Sequence, residues 1–364
     1  MTLSRTFTNS RFLIKIIRNF SSINKGGKEV YIINGCRTPI GSFRKGLNSL
    51  TAPQLGAITI KETLNRVARN DIVIDEVLMG QDVVIAGGQE SMSNVPFYFP
   101  RTEPSYGGSS LIDGIVFDGL TDVYNKCHMG VCAENTASTL NISRDAQDQF
   151  AISSYQKSQS SAKTGIFKKE IVAVSIKNKK EELIINEDEE YARVNFDKFK
   201  SLKPVFKANG TVTAANASSL NDGAASLLIL SVDALKKYQL TPMAKIIGFA
   251  DAALQPMDFP IAPAESIRKL LKICNKNAED IAMWEINEAF SVVVLANLKV
   301  VKGMHPDKVN IHGGAVSMGH PIGMSGARLI LHLAYNLKKN ELGVASICNG
   351  GGGASSIMIE GCRN

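Results

Sequence analysis

Residues Glu76 to Glu90 read EVLMGQDVVIAGGQE, and this stretch decides which fold the chain can adopt. It holds two apolar runs, VLMG at Val77–Gly80 and VVIAGG at Val83–Gly88, of the kind that forms buried strands of a parallel sheet. Only Gln81 and Asp82 lie between the two runs. Parallel neighbours need a crossover of about a dozen residues or more, usually with a helix. The stretch therefore indicates an α/β protein that lacks a crossover at this point.

The second half of the chain contains a similar pair of strands with the crossover present. DEVLMG corresponds to DIAMWEIN, and DVVIAGGQES corresponds to GVASICNGGGG. In the second half the residues from Glu288 to Gly343 separate the two strands, and their pattern predicts a helix, a strand and another helix. The comparison predicts an internal duplication whose first copy has lost those three elements.

Hydrophobic periodicity predicts the other elements around this pair. VYIINGCRTPIGSF is a strand that runs into a turn, and TAPQLGAITIKETLNRV is a helix that Thr51 and Pro53 begin. After a polar region from Phe97 to Asn216, predicted to be an inserted loop domain, DGAASLLILSVDALKKY resumes the α/β pattern. The later segments alternate between strand and helix in the order AKIIGFAD, APAESIRKLLKICN, IAMWEIN, EAFSVVVLANLKV, VNIHGGAV, SGARLILHLAYNLKK and GVASICNGGGG.

The 364 residues, 44% of them hydrophobic, suffice for a large core, and no apolar run approaches the roughly 18 residues that span a bilayer. The net charge is +7, but the first 27 residues carry five basic and no acidic residues, and without them the charge falls to +2. That basic, Ser/Thr-rich leader is typical of an organelle transit peptide and favours the mitochondrial matrix. A disordered basic tail is the alternative. Neither nucleic acid nor a membrane is expected as a partner.

The cysteines show no paired spacing that is typical of a disulfide framework, which fits a reducing compartment; they are Cys36, Cys127, Cys132, Cys274, Cys348 and Cys362. The group Cys127, His128 and Cys132 is open to interpretation as a metal site, but its spacing matches no strong zinc pattern.

Three motifs place polar or reactive groups where an apolar strand ends, which is where α/β sheets bind ligands. They are NEAF at Asn287–Phe290, GGAVSMGHPIGMSGAR at Gly313–Arg328 and CNGGGGAS at Cys348–Ser355. His320 lies on a Gly/Pro turn before a helix, and Cys348 precedes four glycines whose N–H groups could face a ligand. A lone histidine is more often structural, and a cysteine at a strand end is often a small core residue.

The chain resembles the thiolase family from Val30 to Glu360. The resemblance rests on CRTPIGSF, GGQESMSNVP, CHMGVCAENTA, NGTVTAANASSLNDGAA, WEINEAF, GHPIGMSGA and CNGGGGAS. It implies an α/β fold of two similar βαβαβαββ halves in five αβαβα layers, with a loop domain over the coenzyme A site and an incomplete N-terminal half. The expected organisation is a transit peptide at 1–28, an N-terminal half at 29–96 and 217–240, a loop domain at 97–216 and a C-terminal half at 241–364.

The resemblance also implies a reaction and residues for it. The family's acetyl-CoA C-acetyltransferases condense two acetyl-CoA molecules reversibly to acetoacetyl-CoA and CoA, or cleave short 3-ketoacyl-CoA by thiolysis. The matching groups are His320, which activates a cysteine nucleophile and forms an oxyanion hole with Asn287; Cys348, which removes the α-proton; and Gly350, whose N–H binds the second oxyanion. The nucleophilic cysteine of the family falls in the segment of about fifty residues that this chain lacks between Gly80 and Asp82.

The remaining implied residues concern substrate, ion and assembly. Tyr155, Arg193 and Lys198 match residues near the CoA nucleotide, Ser218 matches one on the pantetheine, and the acyl pocket corresponds to His128, Met129 and Phe290. Asn195 departs from the Asp usual in the family. A potassium site is implied at Tyr155, Ala214, Ala215, Ala217 and Val316, and a homodimer or homotetramer is expected. The alternatives are a CoA-binding relative without catalysis and an incompletely spliced or wrongly predicted reading frame.

Overall fold

The computed structural model describes residues 29–67, 82–99, 101–103, 106–177 and 181–363. The predicted leader and the predicted strand EVLMG lie outside these residues. In the described part no helix is long and apolar enough to cross a membrane. The strands there are β1 (Val30–Arg37), β2 (Gly41–Ser42), β3 (Val83–Ser91), β4 (Phe97–Tyr98), β5 (Ile112–Asp113), β6 (Thr121–Asp122), β7 (Cys127–His128), β8 (Val174–Lys177), β9 (Glu182–Ile185), β10 (Asn221–Ser231), β11 (Ala244–Ala253), β12 (Ile281–Ile286), β13 (Leu342–Cys348) and β14 (Gly353–Gly361).

The α-helices of the described part are α1 (Ala52–Asn65), α2 (Met129–Thr139), α3 (Arg144–Lys163), α4 (Val232–Tyr238), α5 (Ala262–Cys274), α6 (Ser291–Val300), α7 (Ala315–Met318) and α8 (Ile322–Asn336). Helix α1 begins as predicted, because Pro53 suits its first turn and the Gln54 side chain accepts a hydrogen bond from the Thr51 N–H (2.9 Å). Short helical turns lie at Met92–Asn94, Ile115–Gly119, Ile166–Lys169, Tyr191–Arg193, Phe196–Ser201, Pro256–Ile261, Ala278–Asp280, Pro306–Lys308 and Gly350–Gly352.

The main sheet shows the predicted duplication. Its described strands run in the order β12-β13-β14-β11-β1-β10, and β10 also pairs with β2 and β3. In the second half β13, β14 and β11 are neighbours with antiparallel pairing, and in the first half β3, β10 and β1 repeat that arrangement. Strand β13 has a further parallel neighbour, β12. The segment that corresponds to β12 in the first half is DEVLMG, which lies outside the described residues.

The helices produce the five layers expected of the fold. Helix α1 packs on β1, β3 and β10 at one outer face, and α5 packs on β11 and β14 at the other. Helix α8 lies between the halves and contacts β3 and β10 on one side and β12 and β13 on the other. Its leucines are fully buried in the core between the two halves, at Leu329, Leu331 and Leu333. Burial on both sides explains why this helix is apolar around most of its circumference.

Strand β3 is much more exposed than its counterpart in the second half. Two of its nine residues are buried, whereas six of the seven residues of β13 are buried. The two strands have equivalent sequences and equivalent neighbours on one side, so the difference arises on the side where β13 pairs with β12. This pattern agrees with the loss of elements beside β3.

One predicted strand is wrong. VNIHGGAV forms only a single bridge, between Val309 and Trp284, and then turns. The reason is Asn310, which has a positive φ of 46° and uses its side chain in place of a backbone ladder. Its Oδ1 accepts from the Ile286 N–H (2.9 Å), and its Nδ2 donates to the Ile286 carbonyl (2.8 Å). The side-chain amide thus satisfies the edge of β12 where a strand was expected.

Candidate active site

A cavity of about 630 Å³ opens where the loop region meets the ends of the second-half strands. Residues after β12 and β13 form its floor, the turn before α8 forms one side, and the region between β3 and β10 forms the opposite wall. The lining residues include His128, Met129, Ser218, Phe290, His320, Cys348 and Gly350. The cavity wall is mostly apolar and holds a few polar groups, as is usual for a small-molecule site.

His320 reaches this cavity from a turn between α7 and α8 that requires glycine. Gly319 has φ of 104°, and a Cβ at this position would lie 2.4 Å from the Asn221 side chain. Asn221, at the start of β10, accepts a hydrogen bond from the His320 N–H (2.9 Å). The turn is therefore anchored on the first half of the protein, although His320 belongs to the second.

The hydrogen bonds of the imidazole determine its tautomer. Ser325 Oγ donates to the Pro321 carbonyl (2.9 Å), so the hydroxyl can only accept from His320 Nδ1, which lies 2.6 Å away. Nδ1 therefore carries the proton of the neutral ring, and Nε2 accepts from Asn287 Nδ2 (3.1 Å). Burial, with the nearby charge of Arg328, lowers the pKa of His320 to about 4, so the ring is neutral near pH 7. Nε2 is available as a base.

Asn287 is buried after β12 and holds its position through its N–H, which donates to the Ser346 carbonyl (2.9 Å). Its Oδ1 is buried and has no protein hydrogen-bond partner among the described residues. A buried unpaired acceptor on a side chain that is hydrogen-bonded to His320 is a suitable place for a water. The role of Asn287 in holding a water for an oxyanion hole stays a prediction.

Cys348 is the last residue of β13 and is 8% exposed. Burial raises the pKa of its thiol to about 12. The chain then turns through Gly351 and Gly352, which have φ of 78° and 87° and so favour glycine. Gly350, before them, is exposed, and a Cβ there would meet open space. The structure thus brings His320, Cys348 and Gly350 to one cavity, with Asn287 bonded to His320.

The predicted substrate residues divide into two groups. His128, Met129, Ser218 and Phe290 line the cavity. Phe206 stacks on the His128 ring at 4.6 Å and meets the Phe290 ring edge-on at 6.2 Å, which fixes the apolar end of the cavity. Tyr155, Arg193 and Lys198 do not line it.

Those three residues lie along the outer part of the loop region. Tyr155 is mostly buried, and its ring meets Phe196 and Phe199 edge-on at 6.4 and 6.2 Å. Arg193 and Lys198 are exposed. Asn195, between them, accepts from the Asp197 N–H (3.1 Å) and begins a helical turn.

The structure brings only some of the predicted potassium-binding residues close together. Tyr155, Ala215 and Val316 pack in one cluster with Ala151 and Phe199. Ala217 is buried in the cavity wall, and Ala214 is exposed. A phenol oxygen and backbone carbonyls are oxygen donors of the kind that hard cations prefer.

Three residues that support the site were not singled out from the sequence. Asn221 and Ser325 orient His320 through hydrogen bonds to its backbone and its ring. Glu288 is fully buried and accepts from Asn310 Nδ2, Ser154 Oγ and the Val316 N–H at 2.8, 2.8 and 3.0 Å. Burial raises the pKa of Glu288 although these hydrogen bonds oppose the shift. Ser325 lies five residues after His320, in the first turn of α8, and this nearness in sequence is a signal that could have identified it.

Comparison with known proteins shows the family. The family model described as Thiolase, N-terminal domain matches residues 80–233, and the one described as Thiolase, C-terminal domain matches residues 240–361. Acetyl-CoA acetyltransferase A, mitochondrial, of Xenopus laevis is 48% identical, with 99% of this chain and 98% of that protein covered. The mitochondrial acetyl-CoA acetyltransferase of Danio rerio is 50% identical, with 91% and 92% covered.

Solved structures agree. The crystal structure of Acat5 thiolase from Ascaris suum in complex with coenzyme A has a TM-score of 0.88 and 39% identity, and covers 92% of this chain and all of that one. The Bacillus anthracis acetyl-CoA acetyltransferase has a TM-score of 0.87 and 31% identity, with 92% and 99% covered.

The alignment lengths bear on the missing segment. The match to the Xenopus laevis protein extends over 413 positions, 49 more than the 364 residues of this chain, so at least that many positions have no residue here. The N-terminal family match begins at residue 80, beside the junction of the two apolar runs. With two matching family models, close relatives over nearly its whole length and the five-layered duplicated fold, this chain belongs to the thiolase family.

Proposed function

We propose that this chain is an acetyl-CoA C-acetyltransferase by descent that binds short acyl-CoA thioesters and retains only the carbon-acid half of the reaction. The reaction of the complete enzyme is the reversible condensation of two acetyl-CoA molecules to acetoacetyl-CoA and CoA, or thiolysis of a short 3-ketoacyl-CoA. The observation that carries the proposal is one cavity that joins Cys348 and Gly350 to the His320–Asn287 pair. The relatives named acetyl-CoA acetyltransferase support the choice of reaction.

The residues of the cavity can polarise a thioester and remove its α-proton. A thioester carbonyl acidifies the protons on its α-carbon, and Cys348 in its thiolate form takes one of them while the water on Asn287 stabilises the enolate oxygen. The N–H of Gly350 belongs to the second oxyanion site. Dry, apolar surroundings strengthen these interactions. His320 Nε2, a neutral acceptor, suits the activation of a thiol more than the donation of a proton.

The covalent half of the reaction lacks its nucleophile. Transfer of an acyl group requires a thiolate that attacks the thioester carbonyl and releases CoA. Of the cysteines in the described residues, Cys348 alone lines the cavity. The family's nucleophilic cysteine belongs to the segment that the chain lacks. We therefore propose that acyl transfer is lost in the chain as written.

The proposed substrate is a short acyl group on coenzyme A. Phe206, Phe290 and Met129 close the apolar end of the cavity, which limits the acyl length. Ser218 faces the pantetheine, and Tyr155, Arg193 and Lys198 contact the nucleotide, which extends beyond the cavity. The structural relative in complex with coenzyme A supports this assignment. Potassium would be held at Tyr155, Ala214, Ala215, Ala217 and Val316 and would order the loops around the nucleotide end.

We further propose the mitochondrial matrix as the location and a homodimer or homotetramer as the assembly. The basic leader and the mitochondrial relatives support the location.

A second candidate is a CoA-binding relative without catalysis, and a third is an incomplete reading frame. The exposed strand β3 and the 49-position shortfall favour these candidates over an intact enzyme. Genomic DNA separates them, because an in-frame exon that encodes a cysteine-bearing strand between Gly80 and Asp82 would identify an incomplete reading frame.

The direct test is a thiolysis assay with acetoacetyl-CoA and CoA, together with calorimetric titration of CoA. We expect CoA binding without thiolysis, and recovery of thiolysis when a relative's segment is inserted between Gly80 and Asp82. Thiolysis by the chain as written would contradict the proposed loss of the covalent half. Failure to bind CoA at millimolar concentration would contradict the binding site itself.

A further inference from the structure

A cluster of metal-binding side chains lies behind the acyl end of the cavity. Asp122 in β6 is the register partner of Cys127 in β7, and Cys132 follows in the first turn of α2. One ligand atom from each of the three residues lies within 4.8 Å of the other two. No other group of three or more His, Cys, Asp or Glu side chains is so arranged in the residues that the structure describes.

The structure changes the membership that the sequence suggested for this group. His128 is excluded, because its Nδ1 accepts from the Gly130 N–H (3.0 Å) and its ring stacks on Phe206 in the cavity wall. Asp122 takes its place, since the β6–β7 hairpin brings its carboxylate next to the sulfur of Cys127. The sequence spacing of the two cysteines alone could not reveal this third ligand.

The cluster is well held. Asp122 is 1% exposed and Cys132 fully buried. The Asp122 carboxylate accepts from the Tyr124 N–H (3.1 Å) and from the backbone N–H (3.2 Å) and side-chain amide of Asn125. These bonds fix the carboxylate before any ion arrives, which lowers the cost of ordering the site. No ion pair of Asp122 with a cationic side chain is present among the described residues.

The separation of the two sulfurs matches a tetrahedral metal more closely than a disulfide. The Sγ atoms of Cys127 and Cys132 are 3.9 Å apart. Two thiolates at about 2.3 Å from a tetrahedral Zn²⁺ lie about 3.8 Å from each other. A disulfide would require the sulfurs to approach to about 2.05 Å.

We propose that Asp122, Cys127 and Cys132 form a binding site for a thiophilic divalent cation such as Zn²⁺, with a water as the fourth ligand. Binding forms two metal–sulfur bonds, one metal–oxygen bond to Asp122 and one to the water, and releases the two thiol protons to solvent. Because the metal displaces these protons, its affinity rises with pH.

The site has a consequence for the acyl cavity. Cys127 and Cys132 flank His128 and Met129, which line the cavity. A metal that ties both cysteines to the β6–β7 hairpin stiffens that wall. We expect the bound ion to raise the melting temperature and to slow hydrogen exchange in β6, β7 and the first turn of α2.

The test uses the full chain, reduced and freed of metal, with Zn²⁺ and Cd²⁺ as the probes. We expect about one ion per chain by equilibrium dialysis, a cadmium–thiolate ultraviolet band, and release of about two protons per ion. Cys127→Ser and Cys132→Ser should each weaken Cd²⁺ binding at least tenfold, and Asp122→Asn should weaken it less, since an amide oxygen remains. Cys362→Ser is the matched control, because this half-buried thiol lies outside the cluster, and it should bind as the unchanged chain does.

Three outcomes would overturn the site. The first is metal binding that is unchanged in Cys127→Ser, in a variant whose circular dichroism and melting match those of the unchanged chain. The second is the absence of proton release from the unchanged chain, a measurement that needs no variant. The third is a Cys127–Cys132 disulfide after treatment with oxidised glutathione in a chain that does not bind Zn²⁺, which would identify a redox pair instead.

Discussion

Exchange of the α-protons of acetyl-CoA for solvent deuterium isolates the half-reaction that we propose this chain retains. The perturbation is a change of pH, and the group that responds is the thiol of Cys348. Burial raises its pKa to about 12, so at pH 7 roughly one thiol in 10⁵ is ionised. The thiolate fraction rises about tenfold for each pH unit below that pKa. The exchange rate should therefore rise with a slope near +1 on a logarithmic scale.

The same profile reports on His320. Its pKa is lowered to about 4, mainly by burial, so the imidazole stays neutral from about pH 6 upwards. An exposed histidine would produce an inflection near pH 6.5, and we expect none. At acetyl-CoA concentrations well below saturation the profile describes the free protein, which is the state to which these pKa values apply.

The assay follows deuterium in recovered acetyl-CoA by mass spectrometry, from about pH 6 to about pH 9, with the rate without protein subtracted. Cys348→Ala should abolish the exchange while CoA binding remains, and Cys362→Ser is the matched control that should leave it unchanged. A flat profile would refute the pKa argument. Exchange that survives Cys348→Ala would remove Cys348 from the role of base.

Three further predictions concern the missing segment and the buried charges. Incubation with radiolabelled acetyl-CoA and subsequent denaturation should leave no label on the chain; stoichiometric label that disappears with Cys127→Ser or Cys132→Ser would reveal a substitute nucleophile. Insertion of a relative's segment between Gly80 and Asp82 should raise the soluble yield and the melting temperature, because β3 gains neighbours that cover its exposed residues. Equal melting temperatures with and without the segment would show that the N-terminal half repacks well. Glu170→Gln should lower the free energy of unfolding, measured by urea titration, by about 3–5 kcal/mol, because Glu170 is buried between Arg37 (2.8 Å) and His332 (3.0 Å). The control Glu187→Gln, on the exposed surface, should lower it by less than about 0.5 kcal/mol. A similar loss for both variants would refute the role of the network.

The pH dependence of the Glu170 contribution follows from its shift. Burial alone would raise the pKa of Glu170, but the charges and hydrogen bonds of His332 and Arg37 outweigh burial and lower the pKa to about 2. A carboxyl with a lowered pKa stabilises the fold above its unfolded value of 4.5 and loses that contribution as the pH falls toward 2. The difference between the unchanged chain and Glu170→Gln should therefore shrink in that acidic range.

Much of the fold could be predicted because each half repeats one pattern. The alternation of apolar runs with helical periods was sufficient for β10, β11, β12 and α8, since burial on defined faces decides these elements. VNIHGGAV failed because Asn310 uses its side-chain amide where a strand uses its backbone. Composition cannot distinguish a buried asparagine whose side-chain amide replaces the backbone hydrogen bonds of a strand from an asparagine that ends a strand.

The site could be predicted less completely than the fold. Local sequence was sufficient to select four residues of the site, because each lies in a motif at the end of a strand: Asn287, His320, Cys348 and Gly350. Asn221 could not be found in this way, because its contact with His320 joins residues 99 positions apart in sequence. Asp122 was missed for a different reason: it is near the two cysteines in sequence, but only the pairing of β6 with β7 shows that its carboxylate lies next to them.

The way in which Asn221 is held decides how far the missing segment affects the proposed catalytic groups. Its Nδ2 donates to the Gly41 carbonyl (3.1 Å), and its N–H contacts the sulfur of Met92 (3.3 Å), in the turn that follows β3. Of the two contacts, only the one to Met92 depends on the exposed strand, whereas Gly41 lies in β2, on the side of β10 away from β3. His320 therefore retains one anchor in the first half even if β3 loosens. Cys348 and Asn287 depend on β12, β13 and β14, which are intact. Loss of the segment should consequently reduce stability and remove the nucleophile without dismantling the groups that polarise a thioester.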